Sequence, residues 1–210
     1  LRGRILSLVS HGYVEPITGA MLDWPALREQ VQNHPEVLAV SPYITDKVIF
    51  GGAGALRGAV LTAIDPELEV DVSRISQAMV EGTILGLEER PFNVVLGASL
   101  ARSLGARVGD RIEVTVPRLT VTPLGVFPRS KRLTVSGIFE IGAQPDAYQA
   151  YVSLTTGQKL IGSKGAVDGL QVKTRELFSA PNTMAEIGAD LPNNYQVKDW
   201  SQTQGSLFQA

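Results

Sequence analysis

The chain has 210 residues, of which 44% are hydrophobic and 19% charged, with a formal net charge of −2 and no cysteine. This composition is typical of a globular chain with a sizeable core, and it excludes disulfide bonds and thiolate metal sites. The near-neutral charge favours no nucleic-acid partner, and no pattern indicates a cofactor. No apolar run approaches the roughly 18 residues of a membrane span, and residues 1–4 lack the apolar segment of a signal peptide, so the sequence alone predicts a soluble protein.

Alternating and helical patterns predict an α+β fold. A helix begins at Asp23-Trp24-Pro25, because Asp23 suits the N-cap and a proline in the first turn loses no hydrogen bond. The glycine cluster at 51–54 lacks the lysine and the following helix of a phosphate-binding loop, so a hairpin turn is the better interpretation. In chain order, the first predicted elements are a strand at 5–14, a helix from 23 that ends before Pro35, strands at 37–50 and 55–64, a short helix at 72–79, and a connection at 82–91 that is a candidate domain boundary.

The second part begins with a strand at 94–96 and a helix at 98–104, which ends at Gly105. Residues 108–116 and 133–141 each alternate apolar and polar side chains, the signal of a half-buried strand. The remaining predicted elements are a strand at 150–154, a short helix at 157–161, a second boundary at 162–165, a strand at 170–173, a helix at 179–191 with Ser179 as its cap, and a strand at 195–200. The outer parts therefore predict one α+β unit that residues 91–165 interrupt.

The segment between the two alternating strands has an unusual composition. If those strands pair as a hairpin, residues 118–132 form a 15-residue loop, whereas hairpin loops usually have about 2–5 residues. Pro117, Pro123 and Pro128 stiffen this segment, and residues 122–125 have the composition of a tight turn. Its apolar residues are Leu119, Val121, Leu124, Val126 and Phe127, and its basic residues are Arg118, Arg129, Lys131 and Arg132. Two interpretations stay open: docking onto another protein, or folding back onto the core of the same domain.

Catalytic interpretations are weaker than structural ones. Ser99 lies between a predicted strand and helix, as in a nucleophile elbow, but the motif lacks its final glycine and a triad would need a histidine. His11 and His34 lie far apart in the sequence, and without cysteine we expect no zinc site. Glycoside chemistry needs a pair of carboxylates, and Glu88 and Glu89, or Asp65 and Glu67, could approach others to form one. The usual role of such residues is surface solvation. The sequence therefore predicts a protein that is not an enzyme.

Several segments together resemble a family of bacterial membrane transporters. They are residues 4–15, 94–105 with 108–112, 117–128 and 200–210. The family is the lipoprotein-releasing transporters of Gram-negative bacteria, whose membrane proteins are LolC, LolE and LolF, and the proline-framed segment is similar to the hook of the LolC and LolF type. The resemblance implies an α+β, MacB-like periplasmic domain with a discontinuous Porter-like α/β subdomain at 1–90 and 166–210. An inserted, mainly β, Sabre-like subdomain at 91–165 would then carry the hook, 117–128, as a long hairpin loop.

The resemblance also implies a function. The chain would be the periplasmic domain of an inner-membrane protein and would recruit the periplasmic lipoprotein carrier LolA through the hook, for transfer of lipoproteins from the inner to the outer membrane. Other implied partners are the lipoprotein substrates, the cytoplasmic ATPase subunit LolD and a second membrane subunit, either the same chain or a LolE-like one. The implied partner-binding residues are Pro117, Arg118, Thr122, Pro123, Leu124, Gly125, Val126, Phe127, Pro128, Lys131 and Arg132.

Two points qualify this implied function. The family has a second contact surface with a basic residue four positions before the first hook proline, and this chain has Glu113 there. The central motif at 94–112 is also shared by other transporters of the MacB and FtsX type. The alternative function is therefore the adaptor-binding periplasmic domain of a MacB-like efflux protein or an FtsX-like regulatory protein, which would not need a proline-framed hook.

Overall fold

The computed structural model describes residues 10–161 and 164–202, and these contain ten strands and five α-helices. The strands are β1 (Gly12–Pro16), β2 (Val37–Gly52), β3 (Ala55–Ile64), β4 (Met79–Glu81), β5 (Asn93–Gly97), β6 (Arg111–Thr122), β7 (Gly125–Phe139), β8 (Gln149–Ser153), β9 (Gly169–Thr174) and β10 (Tyr195–Asp199). The helices are α1 (Trp24–Gln32), α2 (Pro66–Val72), α3 (Ala98–Leu104), α4 (Leu154–Ile161) and α5 (Ala180–Asp190). Short 3-10 turns occupy Ile75–Ala78, Ile84–Glu88 and Gln144–Ala147. Within these ranges, every helix is too short or too polar to cross a membrane.

One end of the sheet is open and antiparallel. It consists of β10, β1, β9 and the first part of β2, in that order. Helix α1 contacts β2 and β9, and α5 contacts β1 and β10. The amphipathic pattern explains this packing, since Leu27 and Val31 of α1 lie one turn apart and are both buried. Met184 and Ile187 of α5 join the same core, so helices and sheet form an α/β layer.

The other end of the sheet closes on itself. β2 pairs with β3, β3 with β8, β8 with β5, β5 with β7, β7 with β6, and β6 returns to β2. This closed ring of six strands removes the open edges that its members would otherwise have. Alternate side chains fill its interior, and Phe50, Val114 and Val135 are among those fully buried there. β2 belongs to both ends, because residues 37–43 pair with β9 and residues 43–52 pair with β3.

A buried polar network joins α2 to the open part of the sheet. Glu69 of α2 is only 2% exposed, and its Oε2 accepts hydrogen bonds from Ser41 Oγ at 3.0 Å and from Gln171 Nε2 at 3.1 Å. Gln171 in turn accepts a hydrogen bond from Ser10 Oγ at 2.7 Å. Burial raises the pKa of Glu69 to about 7, although its hydrogen bonds act in the opposite direction.

Most predicted elements are confirmed, with informative exceptions. The helix at 98–104 ends as predicted at Gly105, which has a left-handed φ of 61°. Asp23 occupies the N-cap position of α1, but its carboxylate accepts a hydrogen bond from the Tyr195 hydroxyl instead of capping the helix. The predicted short helix at 72–79 is present only as the 3-10 turn at Ile75–Ala78. Helix α2 lies earlier because Asp65 caps its start by accepting a hydrogen bond from Leu68 N.

The subdomain boundaries stay predictions. β3 precedes the predicted insertion at 91–165 and pairs in parallel with β8 inside it, so one sheet runs across the first boundary. Residues 162–163 of the second predicted boundary lie outside the described residues, as do residues 5–9 of the first predicted strand and residues 203–210. Ser179 stands at the N-cap of α5 without a capping hydrogen bond from its side chain, which donates to Glu176 O instead.

Candidate partner-binding hairpin

β6 and β7 form one long hairpin. Their pairing runs from Arg111 with Thr134 to Thr122 with Gly125, so the predicted loop at 118–132 is wrong. Residues 113–115 of β6 also pair with β2, and beyond them the hairpin continues as a two-stranded arm. A bulge in the pairing takes up Pro117, whose nitrogen has no hydrogen to donate to the ladder. We keep the name hook for residues 117–128, which are the end of this arm.

The tight turn predicted at 122–125 is confirmed. Pro123 and Leu124 form a two-residue connection between the paired residues Thr122 and Gly125. The Thr122 hydroxyl donates to Gly125 O at 2.9 Å and accepts from Leu124 N at 3.3 Å. Gly125 has a φ of 136°, where an L side chain would be strained. The turn therefore holds the tip of the arm in one conformation.

Apolar side chains of the hook are exposed to solvent. The exposed fractions are 90% for Leu124, 80% for Val121, 52% for Val126 and 51% for Phe127. The interpretation in which these residues fold back into the core of the domain is therefore wrong for these four. Exposed apolar groups are a common feature of interaction surfaces, so the hook stays a candidate site.

The two faces of the hairpin have different surroundings. On the outer face of the ring, Thr115 pairs with Ser130, with 3.0 Å between their hydroxyl oxygens, and Glu113 pairs with Arg132. Lys131 pairs with the buried Val114 and so belongs to the inner face. Paired residues project to the same face of a sheet and successive residues to opposite faces. The predicted binding residues Lys131 and Arg132 therefore do not lie together.

Phe92 organises the inner face and was missed by the sequence analysis. The Lys131 Nζ lies 5.7 Å from the centre of its ring and the Lys159 Nζ 5.9 Å, both within cation–π range. Phe92 has a φ of 63°, which is rare for a bulky residue and which no sequence pattern announces. Arg129, also on the inner face, donates to Leu160 O at 3.4 Å. These contacts fix the base of the arm against α4.

The candidate catalytic residues have separate partners. The Ser99 hydroxyl accepts a hydrogen bond from Arg102 at 3.2 Å. His11 Nδ1 lies 3.0 Å from the Thr174 hydroxyl oxygen, and burial lowers the pKa of this imidazole. His34 Nε2 lies 2.8 Å from the Glu186 carboxylate. The three side chains thus do not combine into a Ser–His pair.

Of the acidic candidates, Asp65 has a structural role. Asp65 caps α2, and it lines a cavity of about 360 Å³ together with Glu88. Burial raises the pKa of Glu88, and the nearby carboxylates of Asp65 and Glu67 raise it further. Across residues 10–161 and 164–202, no cluster of His, Asp and Glu side chains could hold a metal ion.

Comparison with known sequences gives consistent matches. Residues 2–190 match the model of the MacB-like periplasmic core domain family. Over all of its length, this chain is 31% identical to the lipoprotein-releasing system transmembrane protein LolC of Xylella fastidiosa and 30% identical to LolC of Neisseria meningitidis serogroup B, and it covers 51% of each. It is 22% identical to LolE of Haemophilus influenzae over 99% of this chain and 51% of that protein. The chain thus spans about half the length of these relatives.

Comparison with solved structures confirms the α+β, MacB-like fold. The periplasmic region of MacB from Actinobacillus actinomycetemcomitans has a TM-score of 0.59 at 10% identity, covering 98% of this chain and 96% of that one. The extracellular domain of the noncanonical ABC-type transporter YknZ from Gram-positive bacteria also has a TM-score of 0.59, at 12% identity, covering 89% of this chain and 98% of that one. The sequence match and the shared fold agree: this chain belongs to the family of MacB-like periplasmic core domains.

Proposed function

We propose that this chain is the periplasmic domain of a membrane subunit of a lipoprotein-releasing transporter, and that its hook recruits the carrier LolA. The carrier would take lipoproteins from the inner membrane toward the outer membrane. The observation that carries the proposal is the apolar tip of the arm, where Leu124 is 90% and Val121 80% exposed. The relatives named LolC and LolE support the choice of transporter.

The hook is suited to docking on energetic grounds. Full burial of an exposed apolar side chain such as Leu124 or Val126 contributes roughly 1.5–3 kcal/mol. The paired arm and the Thr122 turn are already ordered, so docking loses little conformational entropy. The proposed contact residues therefore supply their apolar area without a folding step.

The basic residues play a second role in this proposal. Arg132 is exposed at the base of the arm and Lys131 lies on the opposite face. Charges at the rim of an interface speed encounter and fix orientation more than they add affinity. A carrier that must leave again needs a modest interface, at the transient end below about 1,200 Å².

The same proposal assigns the position of the domain, the source of energy and the other subunits of the transporter. The domain would lie on the periplasmic side of the inner membrane and hold the carrier over the exit route of the lipoproteins. Energy would come from ATP hydrolysis on the cytoplasmic subunit LolD. A second membrane subunit, the same chain or a LolE-like one, would complete the assembly.

Calorimetry of this chain with purified LolA tests the proposal. One variant replaces residues 117–128 with a short Gly/Ser turn, and a finer one carries Leu124→Ser. The matched control is Leu22→Ser, because Leu22 is 72% exposed and lies outside the hook. All variants should keep the circular dichroism and the melting temperature of the unaltered chain.

The outcomes of this experiment separate three conclusions. Micromolar binding that the two hook variants lose and Leu22→Ser keeps would support carrier recruitment through the hook. An unaltered chain that does not bind would refute it and favour the adaptor-binding role of a MacB-like or FtsX-like protein. Equal binding by every variant would retain the carrier and place its site on another face.

A further inference from the structure

Two aromatic side chains lie together at the edge of the open sheet formed by β1 and β10. Phe178, in the segment between β9 and α5, is 85% exposed and is the most exposed aromatic side chain of the described residues. Its ring packs edge-on against the half-buried Trp200, with 6.1 Å between the ring centres. We call Phe178 and Trp200 the aromatic pair. It presents apolar area that no other side chain of the described residues covers.

Hydrogen bonds hold the aromatic pair in place. The Trp200 indole N–H donates to Leu177 O at 2.7 Å. A helical turn begins at Trp200, and Asp199 caps it by accepting a hydrogen bond from Ser201 N at 2.9 Å. The N–H of Asp199 in turn donates to Gln202 Oε1 at 3.0 Å, which completes a reciprocal capping arrangement. The aromatic pair is therefore a built feature of this edge.

The aromatic pair lies where the two ends of the described chain meet. The backbone N–H of Trp200 donates to His11 O at 3.0 Å. The imidazole Nδ1 of His11 accepts a hydrogen bond from Thr174 N at 3.1 Å, and the Thr174 hydroxyl donates to Glu176 O at 2.9 Å. These bonds tie both ends of the described chain to the segment that carries Phe178.

The proposed function determines what lies beyond this edge. In that function the chain is one domain of a membrane protein, and it covers 51% of each of two relatives named LolC. Membrane-spanning segments that flank the domain would adjoin the edge where its ends meet, so this edge would face the bilayer. Tryptophan is enriched at the boundary between headgroups and hydrocarbon, and both tryptophan and phenylalanine serve as apolar contacts of proteins that lie on this boundary.

We propose that the aromatic pair rests on the bilayer to which the domain is attached, with Phe178 as the lipid contact and Trp200 as its support. This inference rests on the proposed function. One aromatic contact is too weak to hold a protein on a membrane by itself, but an attached domain meets the bilayer at a high effective concentration. The charges of Arg175 and Glu176 balance each other beside the pair, so the contact relies on apolar area rather than on anionic lipid. The contact would set the tilt of the domain over the membrane.

Brominated lipids test this contact, because bromine on an acyl chain quenches the fluorescence of a nearby tryptophan. The chain is attached by an N-terminal histidine tag to phosphatidylcholine vesicles that contain a nickel-chelating lipid. Trp24→Phe and Trp200→Phe remove both native tryptophans. The reporter variant then carries Phe178→Trp, and its matched control carries Leu22→Trp, because Leu22 is 72% exposed and follows the opposite end of β1.

We expect brominated vesicles to quench the reporter of Phe178→Trp and to leave that of Leu22→Trp unquenched, each relative to vesicles without bromine. All variants should keep the circular dichroism of the unaltered chain. If the chain does not fold without its native tryptophans, Trp200 serves as the reporter in Trp24→Phe. Adding Phe178→Ser to that variant should then reduce the quenching of Trp200, whereas adding Leu22→Ser should not.

The outcomes separate this inference from the proposed function. Equal quenching of Phe178→Trp and Leu22→Trp, or quenching of neither, would overturn the membrane contact. If the same chain still binds purified LolA in calorimetry, the proposed function stands without it. A chain that shows neither quenching nor carrier binding would overturn both. If Phe178→Ser alters the sedimentation of the chain by itself and no reporter is quenched, the aromatic pair joins two copies of this chain and the inference is wrong.

Discussion

The buried carboxyl group of Glu69 should make the stability of this domain fall as the pH rises. Folding moves its pKa from an ordinary value of 4.5 to about 7, chiefly because burial disfavours the charged form. Below pH 4.5 the carboxyl is protonated in both states and its stabilising contribution is complete. Between these two pH values the unfolded chain loses the proton first, so the contribution is lost as the pH rises through about 7.

The substitution Glu69→Gln removes this titration and keeps a group of similar shape. A pKa difference between 4.5 and about 7 corresponds to about 3 kcal/mol, at roughly 1.4 kcal/mol per pH unit. Glutamine stays neutral, so the stability of the variant minus that of the unaltered chain should rise by about 3 kcal/mol between pH 4.5 and about pH 8. Other titrating groups, His11 among them, cancel in this difference.

Urea unfolding followed by circular dichroism over this pH range measures the difference directly. Glu67→Gln is the matched control, because Glu67 belongs to the same helix and is exposed. The stability of Glu67→Gln minus that of the unaltered chain should not change with pH, within the error of the method. A flat or falling curve for Glu69→Gln would refute the reasoning, since it would mean that Ser41 and Gln171 stabilise the charged carboxylate enough to offset its burial.

Two further substitutions test the packing and the hairpin. Gly97→Ala should lower the unfolding free energy by about 1–3 kcal/mol, as measured by urea unfolding, because the new Cβ would collide with the Asp146 carbonyl oxygen. In the control Gly58→Ala the new Cβ meets open space, so its unfolding free energy should equal that of the unaltered chain. Glu113→Arg should cost about 0.2–1 kcal/mol, because it places two like charges opposite each other across β6 and β7. Adding Arg132→Glu should restore the melting temperature, and no recovery would show that the pair does not interact.

Local sequence patterns predicted the elements that depend on neighbouring residues. The helix at 98–104 with Gly105 after it and the turn around Pro123 are cases of this kind. The paired arm was missed because three prolines favour a loop, whereas one bulge is enough to accommodate Pro117 in a ladder. Helix α2 was missed because its inward side carries Glu69, which breaks the apolar periodicity that marks a helix.

The arrangement of the candidate site could not be predicted from the sequence. Composition alone could not tell whether Leu124 and Val126 are buried or exposed, since an apolar residue fits either state. Pairing between β2 and β6 joins residues far apart in the chain, such as Ile49 and Thr115, and no local pattern encodes it. The side of the sheet on which Lys131 lies follows from that register.

The sharing of β2 between the open sheet and the closed ring has a mechanical consequence. β2 has 16 residues, which at about 3.3 Å per residue gives it a length of roughly 50 Å. A force applied to the arm would be transmitted by the pairing of β6 with the end of β2, and then along β2 to β9 and β1. His11, next to β1, and Trp200, next to β10, are joined by a backbone hydrogen bond of 3.0 Å, so the load arrives where both ends of the described chain meet. A tilt of that edge would therefore be passed on to the arm through paired strands.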